Sequence, residues 1–109
     1  MPFGYDSGFD VATLDTLTTA GVTGSQKATG VNLCFQVTVA DVGANVVVRF
    51  EGSLDDNNYF NIDASAADTT ITANGTTGYF MQAPVQFVRL RLVSLSGGTP
   101  SVSCKIGCI

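Results

Sequence analysis

The chain has 109 residues, the size of a single domain, and a formal net charge of -4 with only five Lys and Arg residues. Contacts to nucleic-acid phosphates need clustered cations, so the composition argues against a nucleic-acid partner. No apolar run reaches the roughly 18 residues of a membrane span, and the first residues lack a secretory signal pattern, so we expect neither a membrane partner nor export.

Charged residues make up only 13% of the chain, about half of the roughly 25% found in a typical soluble domain. A surface with so little charge suits a protein that is covered by neighbouring subunits, because buried contacts are depleted of charge. We therefore expect this protein to function in an assembly.

The chain contains no His and three Cys, namely Cys34, Cys104 and Cys108. Most enzymes need a His, a cleft with paired carboxylates, or a nucleophile with its base. A zinc site needs four ligands, which these cysteines do not supply. We therefore predict that the protein is not an enzyme, that it binds no metal or other cofactor, and that its thiols are reduced.

Residues 1–30 are rich in Gly, Thr, Ser and Asp, and they contain one strand-like piece at residues 11–17. This composition predicts an extended N-terminal arm with one first strand, followed by a loop. Three aromatic residues are spaced along the start of the arm, and we expect them to act as apolar anchors that contact another subunit: Phe3, Tyr5 and Phe9.

From Val31 onward, apolar and polar residues alternate, which is the pattern of half-buried β-strands. Strands are predicted at 32–39, 46–53, 59–62, 69–73, 79–83, 85–94 and 101–106, with turns at 40–45, 53–58 and 95–100 and an Asn-Gly hairpin at 74–78. The predicted inward residues are Leu33, Phe35, Val37, Val39, Val46, Val48, Phe50, Phe60, Ile62, Ile71, Val88, Leu90, Leu92, Val102, Cys104 and Ile106.

No segment shows helical periodicity, so the predicted class is all-β. Strands that each bury one face need a second layer to cover that face. The predicted fold is therefore an antiparallel β-sandwich of jelly-roll type, with the arm at 1–30 and the sandwich domain at 31–109.

Polar residues cluster between two predicted strands, at Asp55, Asp56, Asn57 and Asn58. Their oxygens are of the kind that calcium prefers, but the ligand spacing of a calcium loop is absent, and Asp and Asn are also typical turn residues. We favour a turn. Tyr59 follows directly and is either a platform for a sugar ring or a packing residue, so the five residues together are a candidate recognition loop.

Charged residues recur on the outward faces of two predicted strands, at Arg49, Glu51, Arg89 and Arg91, with Phe87 beside them. Opposite charges on neighbouring strands commonly pair, and each exposed pair contributes less than about 1 kcal/mol. We favour a charge ladder that faces solvent or an interface over a carboxylate-binding site. Arg49, Phe87, Arg89 and Arg91 are accordingly candidate contacts to another protein subunit.

The strings "NVVVRFEGSLDDNNYFNID", "DTTITANGT" and "FVRLRLVSLSGGTPSVSCKI" resemble a family of small β-sandwich virion proteins of tailed phages, over about Gly30 to Ile106. The resemblance implies a structural protein that decorates or cements the capsid exterior. It also implies the major capsid protein and copies of the same chain, in a homotrimer, as partners, and a virion protein made in the host cytoplasm.

The sequence departs from that family at one loop, where Asp56, Asn57 and Asn58 replace a Gly-containing turn and Tyr59 stands where Trp is frequent. These departures leave the predicted sandwich intact and weaken the transfer of a binding role to that loop. Two alternative functions remain open beside the capsid role. One is a host-adhesion or carbohydrate-binding module of a fibre or tail, and the other is a component of the neck or tail connector.

Overall fold

The computed structural model describes residues 10–63 and 65–109, and within these ranges the chain forms eight β-strands. No helix in these ranges is long and apolar enough to cross a lipid bilayer. The strands are β1 (Asp10–Thr13), β2 (Gly21–Val22), β3 (Gln26–Lys27), β4 (Asn32–Ser53), β5 (Phe60–Asn61), β6 (Thr69–Ile71), β7 (Gly75–Gln82) and β8 (Phe87–Cys108).

Two 22-residue strands, β4 and β8, form the centre of the sheet and pair with each other antiparallel from end to end. The short strands β1, β2 and β3 line the free edge of β8, and β5, β6 and β7 line the free edge of β4. All of these pairs are antiparallel, which confirms the predicted all-β antiparallel class.

The described strands form one continuous sheet, so the predicted sandwich of two sheets in a jelly roll is not what the structure shows. The sheet instead curls strongly into a half-barrel, and its two halves cover each other's apolar face. The rings of Phe35 and Phe50 lie 4.8 Å apart between centroids, although both belong to β4. Fifteen residues of straight strand would span about 50 Å, so β4 must fold back between them.

The fold-back occurs where the sequence predicted chain-reversing turns, at residues 40–45 and 95–100. Both strands instead continue through the bend, with irregular pairing between Ala40 and Asn45. Asp41, Gly97 and Gly98 adopt positive φ angles of 55°, 73° and 60°, which turn the backbone sharply without ending the strand. The turn-forming residues were therefore recognised, but their effect is a bend and not a reversal.

The predicted Asn-Gly hairpin at 74–78 is also absent, because β6 and β7 do not pair with each other. Both strands pair with β4, one on each side of its bend, and residues 72–74 connect them. The Asn74 side-chain oxygen accepts a hydrogen bond of 2.9 Å from the Val42 backbone N–H, within the bend. Asn74 therefore supports the bend from the neighbouring edge of the sheet.

The core lies between the two halves and contains most of the predicted inward residues. Phe60 is an exception, since it is 50% exposed on the short edge strand β5. Ile62, Ile71 and Tyr79 are partly buried and pack against this core. The predicted residues that are buried are Leu33, Phe35, Val37, Val39, Val46, Val48, Phe50, Val88, Leu90, Leu92, Val102, Cys104 and Ile106.

The described part of the predicted N-terminal arm, from residue 10 onward, is part of the sheet. Between Asp10 and Lys27, the strands β1, β2 and β3 all pair with β8, and Leu17 forms an isolated bridge with Val102. Leu14 is buried in the core. Residue 30 therefore does not separate an arm from the domain, and the predicted anchors Phe3, Tyr5 and Phe9 lie outside the described residues.

Candidate interaction surfaces

Because the two halves of the sheet share one core, their other faces point away from it on two outer sides of the molecule. One outer face carries Arg49, Glu51, Arg89 and Arg91, and we call it the charged face. The other is formed by alternate residues of β1, β4, β7 and β8, and we call it the neutral face. Its residues are Val11, Thr13, Asn32, Cys34, Gln36, Thr38, Thr76, Gly78, Phe80, Gln82, Ser101, Ser103, Lys105 and Gly107.

Glu51 is the centre of the charged face, and the sequence pattern predicted only that it faces outward. Its side chain is only 4% exposed because arginine side chains cover it. Arg89 Nε donates to Oε1 and Arg91 Nε donates to Oε2, each at 2.8 Å, and Arg49 Nη1 lies 3.8 Å from Oε2. The predicted charge ladder is thus a cluster around one buried carboxylate, which holds guanidinium groups at the surface.

Arg49 is held on its other side by Asp68, which precedes β6. Arg49 Nε donates to Oδ1 at 2.7 Å and Nη2 donates to Oδ2 at 3.1 Å, so the planar guanidinium is fixed by a two-pronged contact. This hydrogen bonding raises the pKa of Arg49 and lowers the pKa of Asp68. Two carboxylates therefore fix the orientation of Arg49 before any partner arrives.

Tyr59 lies beside this cluster and packs against Arg89, whose guanidinium carbon is 3.7 Å from the centre of the Tyr59 ring. This is a cation–π contact, which occupies one face of the ring. The Tyr59 hydroxyl donates to Asp56, and this hydrogen bond is the main cause that lowers the pKa of Asp56. Burial is the main cause that raises the pKa of Tyr59. Tyr59 therefore packs as part of the charged face.

The polar cluster at 55–58 is a turn organised around the carboxylate of Asp55. Its Oδ1 accepts hydrogen bonds from Ser53 Oγ and from the backbone N–H groups of Asn57 and Asn58, at 2.8 to 3.0 Å. Its Oδ2 accepts one from Asn58 Nδ2 at 2.8 Å. Asp56 follows with a φ of 59°, which an Asp tolerates. The Asp55 oxygens are thus engaged by the turn itself.

These hydrogen bonds hold the pKa of Asp55 well below its usual value near 3.8, with the Asn58 backbone N–H as the largest cause. A lowered pKa means that the carboxylate stabilises the fold above its unfolded-state pKa and loses this effect as the pH falls through the folded-state value. We therefore expect Asp55→Ala to lower the melting temperature at pH 7. In thermal scans below pH 3.8, the melting temperatures of the variant and the natural chain should move closer together. A melting-temperature difference that does not change with pH would contradict this role of Asp55.

The neutral face contains the most exposed aromatic residue of the described chain, and sequence reasoning missed it. Phe80 is 81% exposed, whereas its neighbours Tyr79 and Met81 turn toward the core. Strict alternation along β7 was the available signal, because a strand that buries Tyr79 and Met81 must present Phe80 outward. The Phe80 ring lies over the sheet, 3.5 Å from the position that a Cβ of Gly78 would occupy.

Next to Phe80 lies a groove of about 480 Å³. Cys34 and Gly107 contribute to its lining from the centre of the sheet, and Ile109, which is 50% exposed, contributes from its end. Cys34 is partly exposed, whereas Cys104 and Cys108 are buried, and burial raises the pKa of Cys104 to about 12. Cys34 is therefore the accessible thiol of the chain, and it lies in the middle of the neutral face.

The predicted contact residues divide between these surfaces. The structure brings Arg49, Arg89, Arg91 and Tyr59 together on the charged face. Phe87 is half-buried on the same side of the sheet, opposite Ser53 of β4. The turn at 55–58 lies at the end of this face, where β4 ends. Every predicted contact residue that the structure describes is thus on one side of the molecule.

No protein-family model matches the sequence, and no curated protein sequence matches it. The fold is similar to that in the crystal structure of the SPBc2 prophage-derived protein YomS. The TM-score is 0.60 at 10% sequence identity, and the similarity covers 94% of this chain and 97% of that chain. At this identity the likeness shows only that the two chains share a fold. The other chain is a phage-related protein.

Proposed function

We propose that the protein is a non-enzymatic structural protein of a phage virion that decorates the capsid exterior and stabilises the shell. Its partners are the major capsid protein and copies of itself, in the homotrimer that the sequence resemblance implies. The observation that carries this proposal is the charged face, where a buried Glu51 holds arginine side chains in place. The phage origin of the similar fold supports the same class of function.

The charged face suits docking onto a protein shell because its arginines are already ordered. Arg89 and Arg91 each use Nε to bind Glu51, which leaves their terminal nitrogens able to donate to carboxylates or carbonyl groups of a partner. Side chains that are fixed before binding lose less conformational entropy when the complex forms. Arginine is also enriched where protein interfaces derive most of their affinity.

The test is to purify particles of the virus that encodes the protein and to measure its copy number relative to the major capsid protein. We expect hundreds of copies, which a coat on the capsid exterior requires. One to a few dozen copies would instead support a fibre, a tail or a connector component. Complete absence from purified particles would overturn a virion role altogether.

A second measurement tests the predicted aromatic anchors at the start of the chain. Replacement of Phe3, Tyr5 and Phe9 together by Ser should lower the number of copies retained per capsid. The matched control is Val22→Ser, because Val22 is also apolar and is 38% exposed on β2. Equal retention of both variants would refute the anchors. Glycan binding that is lost on Tyr59→Ala would favour the adhesion alternative.

A further inference from the structure

Nothing in the described chain covers the neutral face, which carries far less charge than the charged face. By strand alternation, Lys105 is its only charged residue among the described ones. Its middle row runs across four strands as Phe80, Cys34, Gly107 and Val11, and Phe80 and Val11 are 81% and 63% exposed. An apolar row on a nearly uncharged sheet face is typical of a surface that contacts another protein.

The shape of this face indicates what covers it. The Phe80 ring lies over the sheet and is 81% exposed, and it forms one wall of the groove that Cys34, Gly107 and Ile109 also line. A cavity of about 150 Å³ is enough to hold a benzene ring, so a groove of about 480 Å³ can receive an aromatic side chain. The chain thus presents an aromatic side chain and a receptor for one on the same face.

We propose that two copies of this chain pack their neutral faces against each other, with Phe80 of each copy in the groove of the other. A two-fold axis produces this arrangement, because a two-fold contact places the same surface patch of both copies in register. The inference rests on that part of the proposed function in which the protein binds copies of itself. It adds a two-fold contact through the neutral face, which is separate from the three-fold contacts of the proposed homotrimer, so that both together would form a hexamer.

Charge favours a second copy as the occupant, and the area of the face indicates the strength of the contact. A face whose described residues carry one charge needs no opposite charge from its partner, and two such faces meet with little electrostatic cost. Three strands of about eight residues and the four-residue β1, spaced about 4.8 Å apart, cover roughly 450 Å². Two such faces bury about 900 Å², just below the roughly 1,000 Å² of a stable specific interface, which is the size of a weak, concentration-dependent contact.

The experiment measures the mass of the purified full-length chain across a dilution series by sedimentation equilibrium. We expect a dimer or an even multiple of the chain, and Phe80→Ser should weaken self-association about 30-fold or more, as the loss of an aromatic anchor residue in an interface does. The fold should be retained, because Phe80 is 81% exposed, and the melting temperature of the monomer checks this. The matched control is Phe60→Ser, which removes a Phe that is 50% exposed on β5, outside the neutral face, and should leave association unchanged.

Cys34 provides a second readout without further mutation. In the natural chain its thiol should react slowly with a maleimide at high protein concentration and quickly after dilution, while Cys34→Ser should remove this reaction. A monomer at every concentration, an odd-numbered oligomer, or equal effects of Phe80→Ser and Phe60→Ser would overturn the inference. A trimer that coats capsids in hundreds of copies would end this inference alone, and a monomer that does so would end it together with the proposed self-association but not the capsid role. A dimer that is absent from particles would end the virion role alone.

Discussion

Gly43→Ala is expected to destabilise the protein by about 3 kcal/mol or more, which is a fall of about 12 °C or more in melting temperature for a domain of this size. Gly43 lies in the bend of β4, where the backbone of β8 passes directly over it. A Cβ at this position would lie 2.2 Å from the Gly97 carbonyl carbon and 2.5 Å from the Gly98 nitrogen. Both atoms are backbone, so relief requires the two central strands to separate.

The control for this variant is Gly24→Ala. A Cβ there would meet only the Asp15 side chain, at an ordinary contact distance of 3.5 Å. We expect a change within about 0.5 kcal/mol, as for most surface substitutions. Thermal and urea unfolding of both variants measure the two changes in stability. If Gly43→Ala were as stable as Gly24→Ala, the backbone of β8 could not lie as close to Gly43 as the structure places it.

The sequence predicted the inward faces of the long strands because alternation is a local property. Leu33, Phe35 and Val37 are buried while Cys34 and Gln36 are not, as period two requires. The same argument holds in β8 along residues 88–92 and 102–106. These positions depend only on strand geometry, and they were predictable without knowledge of which strands pair.

The bend was not predictable, because a reversal and a bend use the same residues. Gly and Asp supply positive φ angles in both cases. Whether the chain reverses at Asp41 or Gly97 depends on whether the partner strand also continues, and this is a long-range property. The same reason explains why the hairpin predicted at Asn74 is absent. The Asn74 side chain binds the Val42 N–H of β4, which is distant in the sequence, and does not turn the chain into a hairpin.

The contact surfaces were predictable only in part. Alternation placed Arg49, Arg89 and Arg91 outward, but the position of Glu51 between them depends on the register of β4 against β8, which pairs Glu51 with Arg89. A shift of that register would place other residues opposite each other. The neutral face was missed because its strands meet side by side only after pairing, and only then do Phe80 and Val11 share one row.

Glu51→Ala is expected to destabilise the fold by about 3 kcal/mol, the lower end of the range for breaking a buried ion pair. The lower end applies because the covering arginines are 19% to 35% exposed and can turn partly into solvent. Arg49 and Arg91 are direct neighbours across β4 and β8, so without the carboxylate two like charges face each other. Urea unfolding at low salt measures the loss.

Salt dependence separates this electrostatic cause from simple loss of packing. Added salt screens repulsion between exposed guanidinium groups, so the stability deficit of Glu51→Ala should shrink as ionic strength rises. Asp68→Ala is the matched control, because it removes a carboxylate whose side chain is 28% exposed, and we expect a cost below about 1 kcal/mol. A deficit of Glu51→Ala that is unchanged by salt and no larger than that of Asp68→Ala would show that Glu51 does not organise the charged face. The arginines would then be free to move, and the docking surface proposed for the capsid would lose its physical basis.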